Sequence, residues 1–158
     1  RQRLEELGYE TNKEQLDAWV AEGKVKLEYR LVAFLDQAST DNYSTRALNM
    51  VAAVVNAKPE AFTVVNDTLF SEQPEEGGAG LPDKHLVEIA VAAGAPETEI
   101  RKAVENLTFR GWVMSTTEEA SKAGVNATPT LEVNGTAVKN AADAESVKAA
   151  VEKALGAG

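Results

Sequence analysis

The residues able to do chemistry in this chain are few, and their types exclude more than they suggest. There is no cysteine and only one histidine, His85. Disulfides, thiolate metal sites and thiol catalysis are therefore impossible within these 158 residues. A single imidazole cannot assemble the usual zinc or copper sites, so no metal and no cofactor is expected. Serine hydrolysis needs a positioned base, and no serine lies in a nucleophile elbow that His85 could serve. His85 itself falls beside the apolar stripe of a helix, near its N-terminal end, and reads as a surface or half-buried structural residue.

Three further clusters have plain readings. Glu75-Glu76 and Glu118-Glu119 are paired carboxylates of the kind found on solvated helix faces, without a cleft to make them an acid/base pair. Gly77-Gly78-Ala79-Gly80 is glycine-rich, but two glutamates precede it and no lysine follows at P-loop spacing. It reads as a flexible surface loop. Asp36-x-x-Ser39 and Ser44-x-Arg46 read as local capping of the helix that follows them, with no catalytic role.

One stretch has two readings. In Asn126-Ala127-Thr128-Pro129-Thr130-Leu131-Glu132-Val133-Asn134-Gly135, a strand-like run begins directly behind a proline. Pro129 can open a strand because its lacking N–H matters least there. Asn134-Gly135 supplies the positive φ angles of a type I′ turn, and Thr136-Ala137-Val138 can return as the second strand of a hairpin.

The elements that must position these residues follow from periodicity. Thr11-x-x-Glu14 reads as a capping box, with Leu16, Trp19 and Val20 on one helical face and Gly23 as the stop. Leu4 and Leu7 suggest a shorter turn of helix before Gly8. Lys24 to Leu35 alternates polar and apolar residues, then becomes fully apolar; it is expected to be a strand, half exposed at its start and buried on both faces at its end. From residue 42 to 123 the pattern is helical throughout. The apolar stripes are Leu48, Val51 and Val55, then Phe62, Val65 and Leu69, then Leu86, Ile89, Ala90 and Ala93. Ile100, Val104 and Leu107 continue them, and Phe109, Trp112, Val113 and Ala120 run on to Gly124. Pro96 is placed to open one of these helices. After the hairpin, Asn140 and Asp143 can cap a last helix striped by Val147, Val151 and Leu155.

Composition bounds the class. An apolar fraction of 44% argues for a folded chain with a core, and 158 residues suit one domain. A net charge of −9 without a basic block disfavours nucleic acid, whose phosphates this surface would repel. The longest apolar runs, such as Val51 to Val55, are too short to span a bilayer.

The order helix, strand, helical block, hairpin, helix resembles the DsbA-like branch of the thioredoxin superfamily, in the group common in actinobacteria. The carrying residues are VKLEYRLVAFLDQASTDNYSTRA (25–47), LFSEQPEE (69–76), RGWV (110–113) and AGVNATPTLEVNG (123–135). The resemblance implies an α/β thioredoxin-like fold over residues 1–158. Its core elements would be 24–35 and 129–158, with a helical insertion at 42–123. It also implies a thiol-disulfide oxidoreductase acting outside the cytoplasm, secreted or membrane-anchored. Extended or unfolded protein substrates and a redox partner protein would be its partners. Pro129 would then follow a cis peptide bond, and the loop Ala127, Thr128 and Pro129 would offer its backbone to an extended substrate segment.

The chain departs from that family in one respect. Members carry a first strand and then Cys-x-x-Cys at a helix N-terminus, where the dipole stabilises the thiolate. Neither is present here. In the family's sheet that strand is central, and leaving its neighbours unpaired would cost on the order of 1–3 kcal/mol per buried backbone group. The expectation is that these residues start downstream of the motif, or that another segment or chain fills the gap. Three functions follow: the downstream part of a disulfide oxidoreductase, a cysteine-less relative that binds peptide in the same groove, or an interaction domain whose proline loop is inactive.

Overall fold

The computed structural model describes residues 9–75, 77–125 and 130–156. It divides into two compact units, Arg30–Gly124 and the pair of segments Arg1–Tyr29 with Val125–Gly158.

The first unit is helical. After a 3-10 turn at Phe34–Ala38 come α2 (Tyr43–Ala57), a second 3-10 turn (Pro59–Ala61), α3 (Phe62–Ser71), α4 (Asp83–Ala92), α5 (Glu97–Glu105) and α6 (Arg110–Lys122). α2 is the central helix, packing on α3, α4, α5 and α6. Its buried stripe is Ala47, Met50, Val51 and Val54, one step round from the expected Leu48, Val51 and Val55; Val55 faces solvent. These residues join Val65, Leu86, Ile89, Ala90, Ile100 and Val104 in one apolar cluster. α4 ends where Gly94 adopts φ +89, which lets Ala95 N–H reach Ala90 C=O at 3.0 Å.

α5 ends on the same motif without a glycine. Leu107 takes φ +47, while Thr108 N–H bonds Ala103 C=O at 3.1 Å. A left-handed leucine costs energy, and a buried side chain holds it in place. Asn49, fully buried on α2, donates through Nδ2 to Ala103 C=O at 3.0 Å and accepts Phe109 N–H at 2.7 Å. Leu107 thus follows α5 rather than extending its stripe. Pro96 likewise sits just outside α5, which begins at Glu97.

The second unit holds α1 (Tyr9–Ala21), a hairpin of β1 (Glu132–Val133) and β2 (Thr136–Ala137), and α7 (Ala144–Leu155). α1 begins at Tyr9, so Thr11 lies inside the helix rather than capping it. Its stop is as expected. Gly23 has φ +70, Gly23 N–H bonds Val20 C=O at 3.0 Å, and Lys24 N–H reaches Trp19 C=O at 2.9 Å. α1 packs on α7, and Asn12 Nδ2 donates to Ala141 C=O at 2.9 Å. Trp19, Val147 and Val151 are buried. The expected turn of helix at Leu4 and Leu7 lies outside the described residues.

The strand expected over Lys24 to Leu35 is not formed. Residues 25–33 belong to no regular element, and Phe34 and Leu35 turn into the 3-10 segment. A strand exists through its ladder, and among the described residues no second strand pairs with this one. Threonine hydroxyls on α6 take part of the ladder's place. Ala33 N–H donates to Thr117 Oγ1 at 3.0 Å, and Thr116 Oγ1 donates to Leu31 C=O at 3.4 Å. The run is only half buried at Leu31–Phe34, not buried on both faces, and Leu35 is exposed.

Among the described residues, no helix is long and apolar enough to cross a membrane.

Candidate functional site

Ala127, Thr128 and Pro129 lie outside the described residues; their immediate frame does not. On one side, α6 stops at Gly124, which takes φ +84 and donates its N–H to Ser121 C=O at 3.0 Å. On the other, Thr130 and Leu131 lead straight into the hairpin. Val138 N–H bonds Leu131 C=O at 2.9 Å, and the register pairs Glu132 with Ala137 and Val133 with Thr136. Asn134 at φ +49 and Gly135 at φ +77 make the tight turn that their sequence predicts. The hairpin packs on α7. Asp143 caps that helix, accepting Ser146 N–H at 2.8 Å and Ser146 Oγ–H at 2.5 Å. The Ser146 hydroxyl and then its N–H hold the Asp143 carboxyl below its ordinary pKa. A cap of this kind stabilises its helix by about 1 kcal/mol. Asn140 lies upstream, its C=O accepting Asp143 N–H at 3.1 Å.

The helical unit holds a second constellation, around the N-terminus of α2. Asp36 accepts Thr45 N–H at 3.0 Å and the Thr45 hydroxyl at 2.5 Å, and Ser39 Oγ accepts Tyr43 N–H at 3.1 Å. Both are capping contacts, as their spacing suggested. Ser39 Oγ also donates to Asp41 at 2.9 Å. Arg46 then ties the neighbourhood together. Its Nη2 meets Asp41 Oδ2 at 2.5 Å, its Nη1 meets Asp83 Oδ1 at 2.6 Å and Leu81 C=O at 3.0 Å, and its Nε meets Asp41 C=O at 3.1 Å. The guanidinium lies 5.8 Å from the Tyr43 ring centre.

The glycine-rich segment closes against this cluster. Gly80 N–H donates to both Asp41 oxygens, at 3.2 and 3.3 Å, and Thr40 N–H donates to Gly78 C=O at 3.2 Å. A Cβ on Gly80 would fall 2.1 Å from Tyr43 ring atoms. Gly80 is therefore a packing requirement rather than loose surface. A cavity of about 80 Å³ remains between the turn at Leu35 to Ser44 and the segment around Gln73, Pro74 and Gly77.

Electrostatics suit this cluster to a clasp. Partial burial pushes the Asp41 carboxyl up, but the Ser39 and Gly80 hydrogen bonds and the Arg46 charge together hold it below its ordinary value. Burial pushes the Tyr43 phenol up to about 12, so it stays protonated and is no base at neutral pH. Ser39 is engaged both as donor and as acceptor.

Of the remaining sequence candidates, Glu75, Glu118 and Glu119 are exposed, and Glu76 lies outside the described residues. Glu118 pairs with Lys122 at 2.6 Å, and Glu119 accepts from Ser115 at 3.2 Å, as on a solvated helix face. His85, half-exposed on the first turn of α4, is flanked by two carboxylates, Glu72 at 2.5 Å and Glu88 at 3.2 Å. Sequence reasoning assigned no role to Asp41, Tyr43 or Gly80. The one usable signal was a run of turn residues before α2 with a glycine cluster before α4.

A hairpin and a last helix, preceded by a block of packed helices, are consistent with the thioredoxin-like fold with a DsbA-like helical insertion that the comparisons show. The chain belongs to the thioredoxin family: the family's sequence model, described as Thioredoxin, matches residues 8–153. Among characterised proteins, it is 29% identical over 99 residues to Disulfide bond formation protein D of Bacillus subtilis (strain 168), which covers 61% of this chain and 44% of that protein. The chain thus spans less than half the length of this curated relative. Among solved structures, it is similar to the reduced form of a disulfide bond oxidoreductase (DsbG) from Mycobacterium tuberculosis, with a TM-score of 0.76 and 29% identity over 92% of this chain and 69% of the other. Oxidised DsbA of the same organism gives 0.67 and 28% over 90% and 79%, and oxidised BdbD from Bacillus subtilis gives 0.66 and 25% over 72% and 62%.

Proposed function

We propose that these residues are the downstream part of a disulfide oxidoreductase that acts on protein substrates outside the cytoplasm, with its reactive cysteines supplied by residues other than these 158. The observation that carries this reading is the similarity to a disulfide bond oxidoreductase of Mycobacterium tuberculosis over 92% of the chain, at 29% identity. Because the chain has no cysteine, in this reading the thiolate comes from elsewhere. In thiol–disulfide exchange, a cysteine thiolate attacks one sulfur of a disulfide and displaces the other as a thiolate, through a mixed disulfide. The contribution of this chain is docking. Thr128 and the neighbouring Ala127 and Pro129 would present backbone groups to an extended substrate segment, so that it adds to the sheet as a strand. A partner protein would reset the redox state after each turnover.

A second reading is a cysteine-less relative that binds extended peptide in the same groove without redox chemistry. It is favoured by the same zero cysteine count. The complete reading frame and the mass of the purified native protein separate the two. A Cys-x-x-Cys motif upstream of Arg1 is expected, and a native protein without one removes the oxidoreductase reading. Peptide binding that survives Pro129→Ala would sink the docking role in either case.

A further inference from the structure

His85 is the chain's only histidine, and it joins two elements. Its Nε2 meets Glu72 Oε2 at 2.5 Å, and its Nδ1 meets Glu88 Oε2 at 3.2 Å. Glu88 lies on His85's own helix, α4, one turn on, but Glu72 is the C-cap just beyond α3. The contact to Glu72 therefore bridges α3 and α4, and it does so at the point where the chain leaves α3. Past Glu72 come Gln73, Pro74 and Glu75, which line one side of the 80 Å³ cavity, while Tyr43, Ser39 and Gly80 line the other. The backbone hold on this exit is brief. Glu72 N–H bonds Thr68 C=O at 2.9 Å and Gln73 N–H bonds Phe70 C=O at 3.4 Å; Pro74 has no N–H to give.

We propose that His85, Glu72 and Glu88 form a pH-dependent latch: with His85 protonated, both ring N–H groups donate to carboxylates and fix the Gln73–Glu75 wall of the cavity, and with His85 neutral only one of the two bonds persists and the hold on that wall weakens.

The chemistry requires the proton. A neutral imidazole has one N–H and one lone pair, so it can donate to only one of two flanking carboxylates and turns its lone pair toward the other. The imidazolium satisfies both. The groups acting on His85 are Glu72 first and Glu88 second, and they raise its pKa. Lys84 approaches the other Glu88 oxygen at 3.7 Å. On α2, which also packs against α4, Arg46 is held by Asp41 and Asp83, and Tyr43 feels Glu72 only as a charge that helps keep the phenol protonated. Because the folded pKa is raised, the latch is closed below about 6.5, the ordinary histidine value, and weakens as pH rises through the raised one. This inference does not depend on the redox reading.

The test follows the His85 imidazole signal, assigned by its loss in His85→Gln, in an NMR titration of untagged protein. The expected midpoint lies above that of histidine in an unfolded peptide, and the amide shifts of Gln73, Glu75 and Gly80 should titrate with the same midpoint. Hydrogen-exchange protection of Gln73, whose N–H bonds Phe70 C=O, should fall several-fold above it once corrected for intrinsic pH dependence. Glu72→Gln, which keeps an acceptor oxygen but removes the charge, should lower the midpoint and reduce the protection at low pH. Glu88→Gln should lower the midpoint while leaving the wall protected at low pH. Wall amides that ignore the His85 midpoint, or protection unchanged in Glu72→Gln, would overturn the proposal.

Discussion

The helical unit and the hairpin-and-helix unit invest in stability in different ways. In the helical unit a central helix touches four others, and the apolar cluster runs without a break from Ala47 to Val104. Its polar groups are also used structurally. Asn49 pins the α5–α6 turn and Arg46 clasps three segments. The other unit buries only Trp19, Val147 and Val151 as apolar residues among those described, beneath a hairpin with two residues per strand. A two-stranded hairpin is marginal by itself in water. Yet Ala127, Thr128 and Pro129, to which we assign substrate docking, directly precede the hairpin of that sparer unit in the sequence. The well-packed unit holds the Arg46 clasp and the latch we propose at His85. The contrast separates bulk stability from proposed chemistry within one chain.

The two tryptophans make that contrast measurable, since Trp19 reports on one unit and Trp112 on the other. Ile100 is fully buried in the helical core, so Ile100→Ala should cost about 2–5 kcal/mol and move the urea transition read by Trp112 fluorescence. Val151→Ala should cost about 1.5 kcal/mol, by loss of two methyl-sized groups, and move the transition read by Trp19. Single-tryptophan variants resolve the two. Equal shifts at both probes for either substitution would erase the distinction between a rich and a sparse core.

A smaller effect sharpens the role of the glycine cluster. Gly80→Ala places a methyl group against the Tyr43 ring and should cost about 1–3 kcal/mol in chemical denaturation. Gly77→Ala meets no neighbour, yet Gly77 has φ +85, so its cost should be backbone strain alone, about 1 kcal/mol. A Gly80 variant as stable as the parent would return this segment to the loose loop that its composition suggests.

The smallest effect is a pH dependence. Asp41 has a folded pKa below its unfolded one, so its stabilisation is present above the ordinary carboxylate value and is lost as pH falls through the lowered value. Asp41→Asn should remove that part of the acid limb of the stability curve. For a partly exposed ion pair the change at neutral pH should be about 1 kcal/mol or less. An acid limb identical in parent and variant would show that Arg46 gains nothing from the pair.

What was legible in the sequence follows from range. Asn134-Gly135 and Gly23 are decided within four or five residues, and both adopt the positive φ their types favour. The order of helices after residue 42 was readable because each has its own apolar stripe. The Lys24–Leu35 strand was not, although its alternation is the clearest in the chain. Strand pairing is supplied by another segment, and no partner strand is present among the described residues. Leu107 reads as one more stripe residue because nothing local marks it as left-handed. The cause is Asn49, more than fifty positions upstream. Gly80 was read as flexible for the same reason, since the ring it must clear belongs to Tyr43. At the candidate site, Thr128 and Pro129 were singled out through the family resemblance rather than from their own chemistry.

The central claim is that this chain supplies fold and docking while the sulfur chemistry comes from other residues of the same protein. The direct measurement is oxidation of a reduced, unfolded protein substrate, followed by loss of free thiols. It compares the product of the complete reading frame with residues 1–158 alone. The account predicts turnover by the former, lost when its cysteines are replaced by serine and reduced by Pro129→Ala, and none by the latter. A complete protein that carries no cysteine, or one that leaves substrate thiols untouched, would contradict it.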